Sequence, residues 1–247
     1  MATLGSATPA AALDRELYAR LLAAHTQAVP DRAGVRVDYA ALRASADWRA
    51  LVASLATSDP ARLASRAERL AFWIDAYNVL AIDWIVRSEP VASIRDLGSL
   101  LRPVWNREAG RIAGRAYTLD EIEHDILRKL SEPRIHAAIV CASVSCPSLA
   151  REPYRAETLD AQLDVALRGF LADARKGARL DPERGVLTLS PVFDWFEADF
   201  EPAGGVLGFV RPHLPEETRA WLVRSEGRVR LEYSDYDWSL NALGEAR

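Results

Sequence analysis

From Arg66 to Arg87 the chain reads as one long helix that is apolar around most of its circumference, and no other segment restricts the fold as strongly. Trp73, Tyr77, Leu80 and Trp84 recur at i, i+4, i+7 and i+11, and Phe72, Ala76, Val79 and Val86 fill the adjoining stripe. A helix of this kind is buried on several sides, so the remaining chain must wrap around it. Asp75 and Asn78 interrupt the apolar surface and need hydrogen-bond partners there. Asp75 is expected to tie a loop to the core; Asn78 stands between that role and a place in a site.

The segments around this helix are shorter. Helical patterns cover residues 13–28, 40–55, 93–101, 158–174, 191–200 and 216–224, with another after Gly204-Gly205 and a single turn at 61–64. Gly110 to Tyr117 reads as a hairpin turning around Gly114. Lys176 to Leu189 reads as two strands joined at Asp181 to Gly185, and Arg228 to Tyr233 as a final strand. The expected fold is α+β: one predominantly helical domain over 11–247 with a few short antiparallel strands, preceded by a flexible tail at 1–10. No repeat or linker divides the chain.

Charge and cysteine count exclude several classes. A net charge of -4 leaves no electrostatic footprint for nucleic acid. No run reaches the roughly 18–20 apolar residues of a membrane span. Two cysteines are too few for a disulfide framework, although a Cys141–Cys146 bridge stays open. The first residues lack the basic and apolar regions of an export signal, yet Thr8-Pro-Ala-Ala-Ala12 looks like what remains beside a trimmed cleavage site. A periplasmic or secreted location is the expectation in that case.

Both cysteines fall within His136 to Leu149, where an apolar half gives way to small hydroxyl residues and then Cys146-Pro147. Proline suits the first position of a helix, which would put Cys146 at an N-cap, facing unpaired amides that favour a thiolate. The apolar run before Cys141 suits a buried support or a resolving thiol. Further upstream, Thr118-Leu-Asp-Glu121 is a capping box, so Glu121 has a structural role. At about 100° per residue, Glu123 then lies in the middle of the arc formed by Leu119, Ile122, Ile126, Leu127 and Leu130, with His124 at its edge. A carboxylate there must be paired, protonated or facing a cavity.

These motifs resemble the bacterial family called domain of unknown function 547. The resemblance rests on Phe72-Trp-Ile-Asp-Ala-Tyr-Asn78, Leu119-Asp-Glu-Ile-Glu-His124, the stretch from His136 through Cys141 to Ser145-Cys146-Pro147, and Tyr236-Asp-Trp-Ser-Leu-Asn241. It spans about 35–241. The family usually has Asn where this chain has Asp75. Related domains are often exported in bacteria and in some eukaryotic proteins are joined to glutaredoxin, so the resemblance implies thiol chemistry.

The residues themselves point first to a thiol-dependent hydrolase or acyl transferase. In it Cys146 attacks a carbonyl, His136 or His124 handles the proton, and Glu123 or Asn78 orients the histidine. The alternatives are a thiol pair cycling with a disulfide, a metal site of His136, Cys141 and Cys146, and a domain that binds without chemistry. No cofactor is expected. The expected partner is a small-molecule or peptide-like substrate.

Overall fold

Asp14 opens the first helix, α1 (Arg15–His25), by accepting the Leu17 N–H at 2.9 Å. In the computed structural model, which describes residues 13–88, 90–99, 101–226 and 228–244, this helix passes directly into β1 (Thr26–Ala28). That strand pairs antiparallel with β2 (Val35–Val37). Strand pairing therefore takes the last three residues of the predicted helix. The single helix expected over 40–55 is two, α2 (Tyr39–Ala44) and α3 (Ala46–Thr57), because Ser45 leaves helical geometry and caps the second by accepting the Trp48 N–H. The tail expected at 1–10 lies outside the described residues.

The central helix, α4 (Arg66–Arg87), has the predicted limits. Ser65 and Glu68 cap it reciprocally, the hydroxyl accepting the Glu68 N–H at 3.1 Å and the carboxylate accepting the Ser65 N–H at 2.7 Å. Fifteen of its residues are buried, among them Phe72, Trp73, Asp75, Tyr77 and Asn78. Asp75 does tie a loop to the core: it accepts the Tyr154 N–H at 3.0 Å and pairs with Arg15 at 3.4 Å. Burial pushes its pKa up to about 7 in spite of these partners.

The hairpin β3 (Glu108–Ile112) and β4 (Arg115–Thr118) turns through Gly114 at φ +75°. Thr118 and Glu121 then form the predicted capping box, with reciprocal bonds of 3.0 and 2.9 Å. They lead into a π-helix at Glu121–Leu127, in which the Arg128 N–H reaches back five residues to the Glu123 carbonyl. Helix α5 (Leu159–Ala172) precedes β5 (Ala178–Asp181), β6 (Val186–Leu189), α6 (Val192–Trp195), α7 (Gly205–Val210), α8 (Glu216–Arg224) and β7 (Arg230–Tyr233). Strands β5 and β6 are antiparallel, as expected, but β7 joins β6 in parallel. No described helix is long and apolar enough to cross a membrane.

Two apolar clusters fill the domain. The larger surrounds α4; the smaller joins β6, α6, α7 and α8 through Leu187, Phe193, Phe209 and Leu222. Gly177, between α5 and β5, packs so closely that a Cβ there would overlap the Phe170 carbonyl. Gly177→Ala should therefore lower stability by about 1–3 kcal/mol, read as a lower urea midpoint at unchanged slope.

Candidate functional site

The segment from Pro133 enters as a short 3-10 helix (Pro133–Ala137) that buries Ile135, His136 and Ala137, and then runs as irregular buried chain. Three backbone bonds fix residues 142–145, because the C-terminal arm lies alongside: Val144 N–H to Ser239 carbonyl (2.8 Å), Ser145 N–H to Asp237 carbonyl (3.2 Å) and Asn241 N–H to Ala142 carbonyl (3.0 Å). Ala142 takes φ +60°, a conformation that costs about 1–3 kcal/mol for a residue with a Cβ and that clusters at functional sites. This bend lets Cys141 and Cys146 approach, and their sulfurs are joined in a disulfide.

The predicted N-cap position of Cys146 is incorrect. No helix begins at Pro147; residues 147–150 form neither helix nor strand. The arm bonded to Ala142–Ser145 and the Ser148 hydroxyl donating to the Ala33 carbonyl hold the chain irregular there. The sulfur is instead surrounded by three donors. The Cys141 N–H reaches Cys146 Sγ at 3.0 Å, the Tyr236 hydroxyl at 3.2 Å and the Ser143 hydroxyl at 3.3 Å. Cys146 is 3% exposed, while Cys141 is only partly buried.

These sulfurs open on a cavity of about 180 Å³. Tyr77 reaches it from α4, Asp120, Glu123 and His124 from the start and body of the π-helix, and His136 from the 3-10 helix. Its far wall is aromatic: Trp195 and Trp238 stack at 5.7 Å and 14°, and Tyr236 lies 4.5 Å from Trp238. Trp195 is 48% exposed and marks the open side.

The ionisable groups form a connected series. Tyr77 donates to Glu123 Oε2 at 3.2 Å, and Glu123 Oε1 lies 3.9 Å from His136 Nδ1. His136 Nε2 is 2.8 Å from Asp199, which Arg128 holds with two bonds of 2.7 Å. Burial opposes ionisation of Asp199, but the bonds from His136 and Arg128 outweigh it and hold the carboxyl well below its usual range. His136 must then donate Nε2–H to that carboxylate. Its Nδ1 is left as a buried acceptor with no hydrogen-bond partner among the described residues. Burial lowers the His136 pKa, which keeps the ring neutral at pH 7, and burial raises Glu123 to about 7.

Of the residues singled out in the sequence, Cys146, Cys141, His136, His124 and Glu123 all line this cavity. Asn78 does not: its amide donates to the Ala138 carbonyl at 3.0 Å and accepts the Val140 N–H at 2.9 Å, clamping the chain that leads to the cysteines. His124 accepts from Arg128 at 2.7 Å through Nδ1. Among the described residues no histidine nitrogen bonds to either sulfur. The side chains that touch Cys146, Ser143 and Tyr236, are not among the predicted site residues, although Tyr236 opens the motif Tyr236 to Asn241 and Ser143 lies between the cysteines. Asp199 carries no local signal, being 63 residues from the histidine it orients.

As a metal site, His136, Cys141 and Cys146 fit poorly, because both sulfurs are bonded to each other and are not thiolates. Among the described residues no group of three or more His, Cys, Asp and Glu side chains is arranged to hold a metal ion. The model of the family described as "Protein of unknown function, DUF547" matches residues 61–171, the span from the turn before α4 through both cysteines to the end of α5. No curated protein and no solved structure matches the chain.

Proposed function

We propose that this chain, whose residues 61–171 match the model of the DUF547 family, catalyses thiol–disulfide exchange through the Cys141–Cys146 pair. One observation carries this reading: the disulfide borders a cavity, and one of its sulfurs already has three hydrogen-bond donors. A thiolate from a substrate dithiol attacks the more open sulfur, Cys141, forming a mixed disulfide and breaking the Cys141–Cys146 bond. Cys146 leaves as a thiolate held by the Cys141 N–H, Ser143 and Tyr236, and such stabilisation of the leaving sulfur speeds exchange. The second substrate thiolate then displaces Cys141. Two electrons have passed to the protein pair, and the substrate departs as a disulfide. The two protons are taken up by the pair's thiolates, and Glu123, with a pKa of about 7, is placed in the cavity to buffer them.

Equilibration in glutathione buffers of graded potential, followed by alkylation and mass measurement, tests this. The expected result is a single two-electron transition in which both cysteines become alkylated together. In Cys146→Ser, oxidised glutathione should form a lasting mixed disulfide on Cys141. Failure of the pair to respond to the buffer potential, or glutathione addition only in Cys141→Ser, would sink the proposal.

A second reading, the hydrolase or acyl transferase, is favoured by the His136–Asp199 pair and the open Nδ1 acceptor. After reduction, Cys146 would be the nucleophile and His136 the base. Thioester hydrolysis that appears only on reduction and falls by about 100-fold or more in His136→Gln would place this reading first.

A further inference from the structure

The first residues of the C-terminal arm, Ser234 and Asp235, also wall a second cavity, of about 260 Å³, whose other walls come from β5, β6 and the turn at Lys176. Besides Arg175, which pairs with Asp173, three cations face it: Arg32, Lys176 and Arg179. Among the described residues none of the three has a carboxylate within salt-bridge distance. Of the neighbouring acids, Asp31 is taken by Arg36 at 2.7 Å and Asp173 by Arg175 at 2.8 Å, and the Asp235 carboxylate in the wall lies beyond salt-bridge distance of all three cations. In a chain with a net charge of -4, this is a local excess of positive charge.

The donors are also incompletely used. Lys176 is 3% exposed, and its ammonium donates to the Ala33 carbonyl at 2.8 Å and to the Ser148 hydroxyl at 3.2 Å, leaving its third proton without a partner among the described residues. Arg32 gives one N–H to the Asp235 carbonyl at 2.7 Å, but its Nε–H is buried and has no partner among the described residues. Arg179 is exposed and has no side-chain partner among the described residues. Burial without a counter-charge pulls Lys176 down to about 8, against the opposing influence of Asp173 and Asp31 and alongside the like charges of Arg175 and Arg32. An unpaired buried donor and an uncompensated buried cation are both costly, and one ligand relieves both: an anion with several acceptor oxygens.

We infer that this cavity binds a small oxyanion, the phosphate or sulfate group of a small molecule, between Arg32, Lys176 and Arg179. Its size is just below the range of about 300–1,000 Å³ typical of sites for drug-sized ligands, so it suits a compact ligand. The guanidinium of Arg179 supplies a two-pronged contact, and the Lys176 ammonium a point charge from the floor. The inference does not depend on the thiol chemistry.

Calorimetric titration of the full chain with sodium sulfate and with inorganic phosphate, at ionic strength held constant with sodium chloride, tests it. Saturable binding is expected for both oxyanions and not for chloride. Affinity should weaken by about tenfold or more in Arg32→Gln and in Arg179→Gln, since each removes a charged hydrogen bond. Arg179 is exposed, so that variant should keep the parent melting temperature in chloride. Heats that match those of chloride, or affinities unchanged in both variants, would overturn the inference. So would tighter binding to phosphatidylglycerol vesicles than to free phosphate, which would make the face a membrane contact.

Discussion

Changing Tyr236 to phenylalanine is expected to slow reduction of the Cys141–Cys146 disulfide by about 10–100-fold, because a hydrogen bond to a charged group contributes about 1.5–3 kcal/mol. The hydroxyl donates to Cys146 Sγ at 3.2 Å, and in the step that breaks the disulfide that sulfur acquires a full negative charge. The bond is therefore stronger in the transition state than in the resting protein, which is the condition for an effect on rate. The ring remains in Tyr236→Phe and keeps its packing against Trp195 at 4.9 Å and Trp238 at 4.5 Å, so the cavity wall survives. The Ser143 hydroxyl, which lies 3.2 Å from the Tyr236 oxygen, keeps its own contact with Cys146 Sγ at 3.3 Å. Stopped-flow reduction with dithiothreitol, monitored by tryptophan fluorescence, reads the rate. An unchanged rate with an unchanged melting temperature would mean that Tyr236 is only a wall, and the leaving-group role assigned to Cys146 would fail with it.

The elements readable in the sequence are those whose signal is local and repeated. The central helix carries its period over many turns and its cap within four residues, so even its limits are set by pattern. The Thr118–Glu121 box and the Gly114 turn are equally local. Cys146-Pro147 shows the opposite case. Proline accepts extended as well as helix-opening geometry, and the choice is made by Ser239, Asp237 and Asn241, far along the chain, bonding to residues 142–145. Glu123 is picked out by an ideal α-helical projection although its backbone is a π-turn. The projection succeeds because Glu123 follows Thr118–Glu121 so closely that little angular error accumulates. Asp199 and Tyr236 become site residues through tertiary contacts alone, and no spacing rule joins either to its partner.

Asp75 yields the other large effect. Its carboxyl is 1% exposed and its pKa lies at about 7 in the native protein, against an ordinary value of 3.8. The native state therefore holds a proton over a window in which the unfolded chain has released it. Stability should fall as pH rises from about 4 to about 7 and level off beyond, by about 4 kcal/mol if the whole difference is realised. Glu123, also raised to about 7, adds a slope of the same sign. Asp199, held low, contributes a slope of opposite sign, but in a more acid window that does not mask the other two. Asparagine at position 75, the residue usual in the resembled family, cannot ionise, and its carbonyl oxygen can still accept the Tyr154 N–H. It gives up the 3.4 Å contact with Arg15, a side chain at the surface edge and therefore of small consequence. Asp75→Asn should thus be about 1–4 kcal/mol more stable than the parent at pH 8 and near parity at pH 4.5, with Glu123 alone leaving a shallower slope between. Urea unfolding at half-unit pH intervals measures both curves. If they run parallel, burial of the Asp75 charge is not what sets the pH dependence, and the carboxylate must be compensated by the Arg15 pair more fully than the 3.4 Å geometry implies.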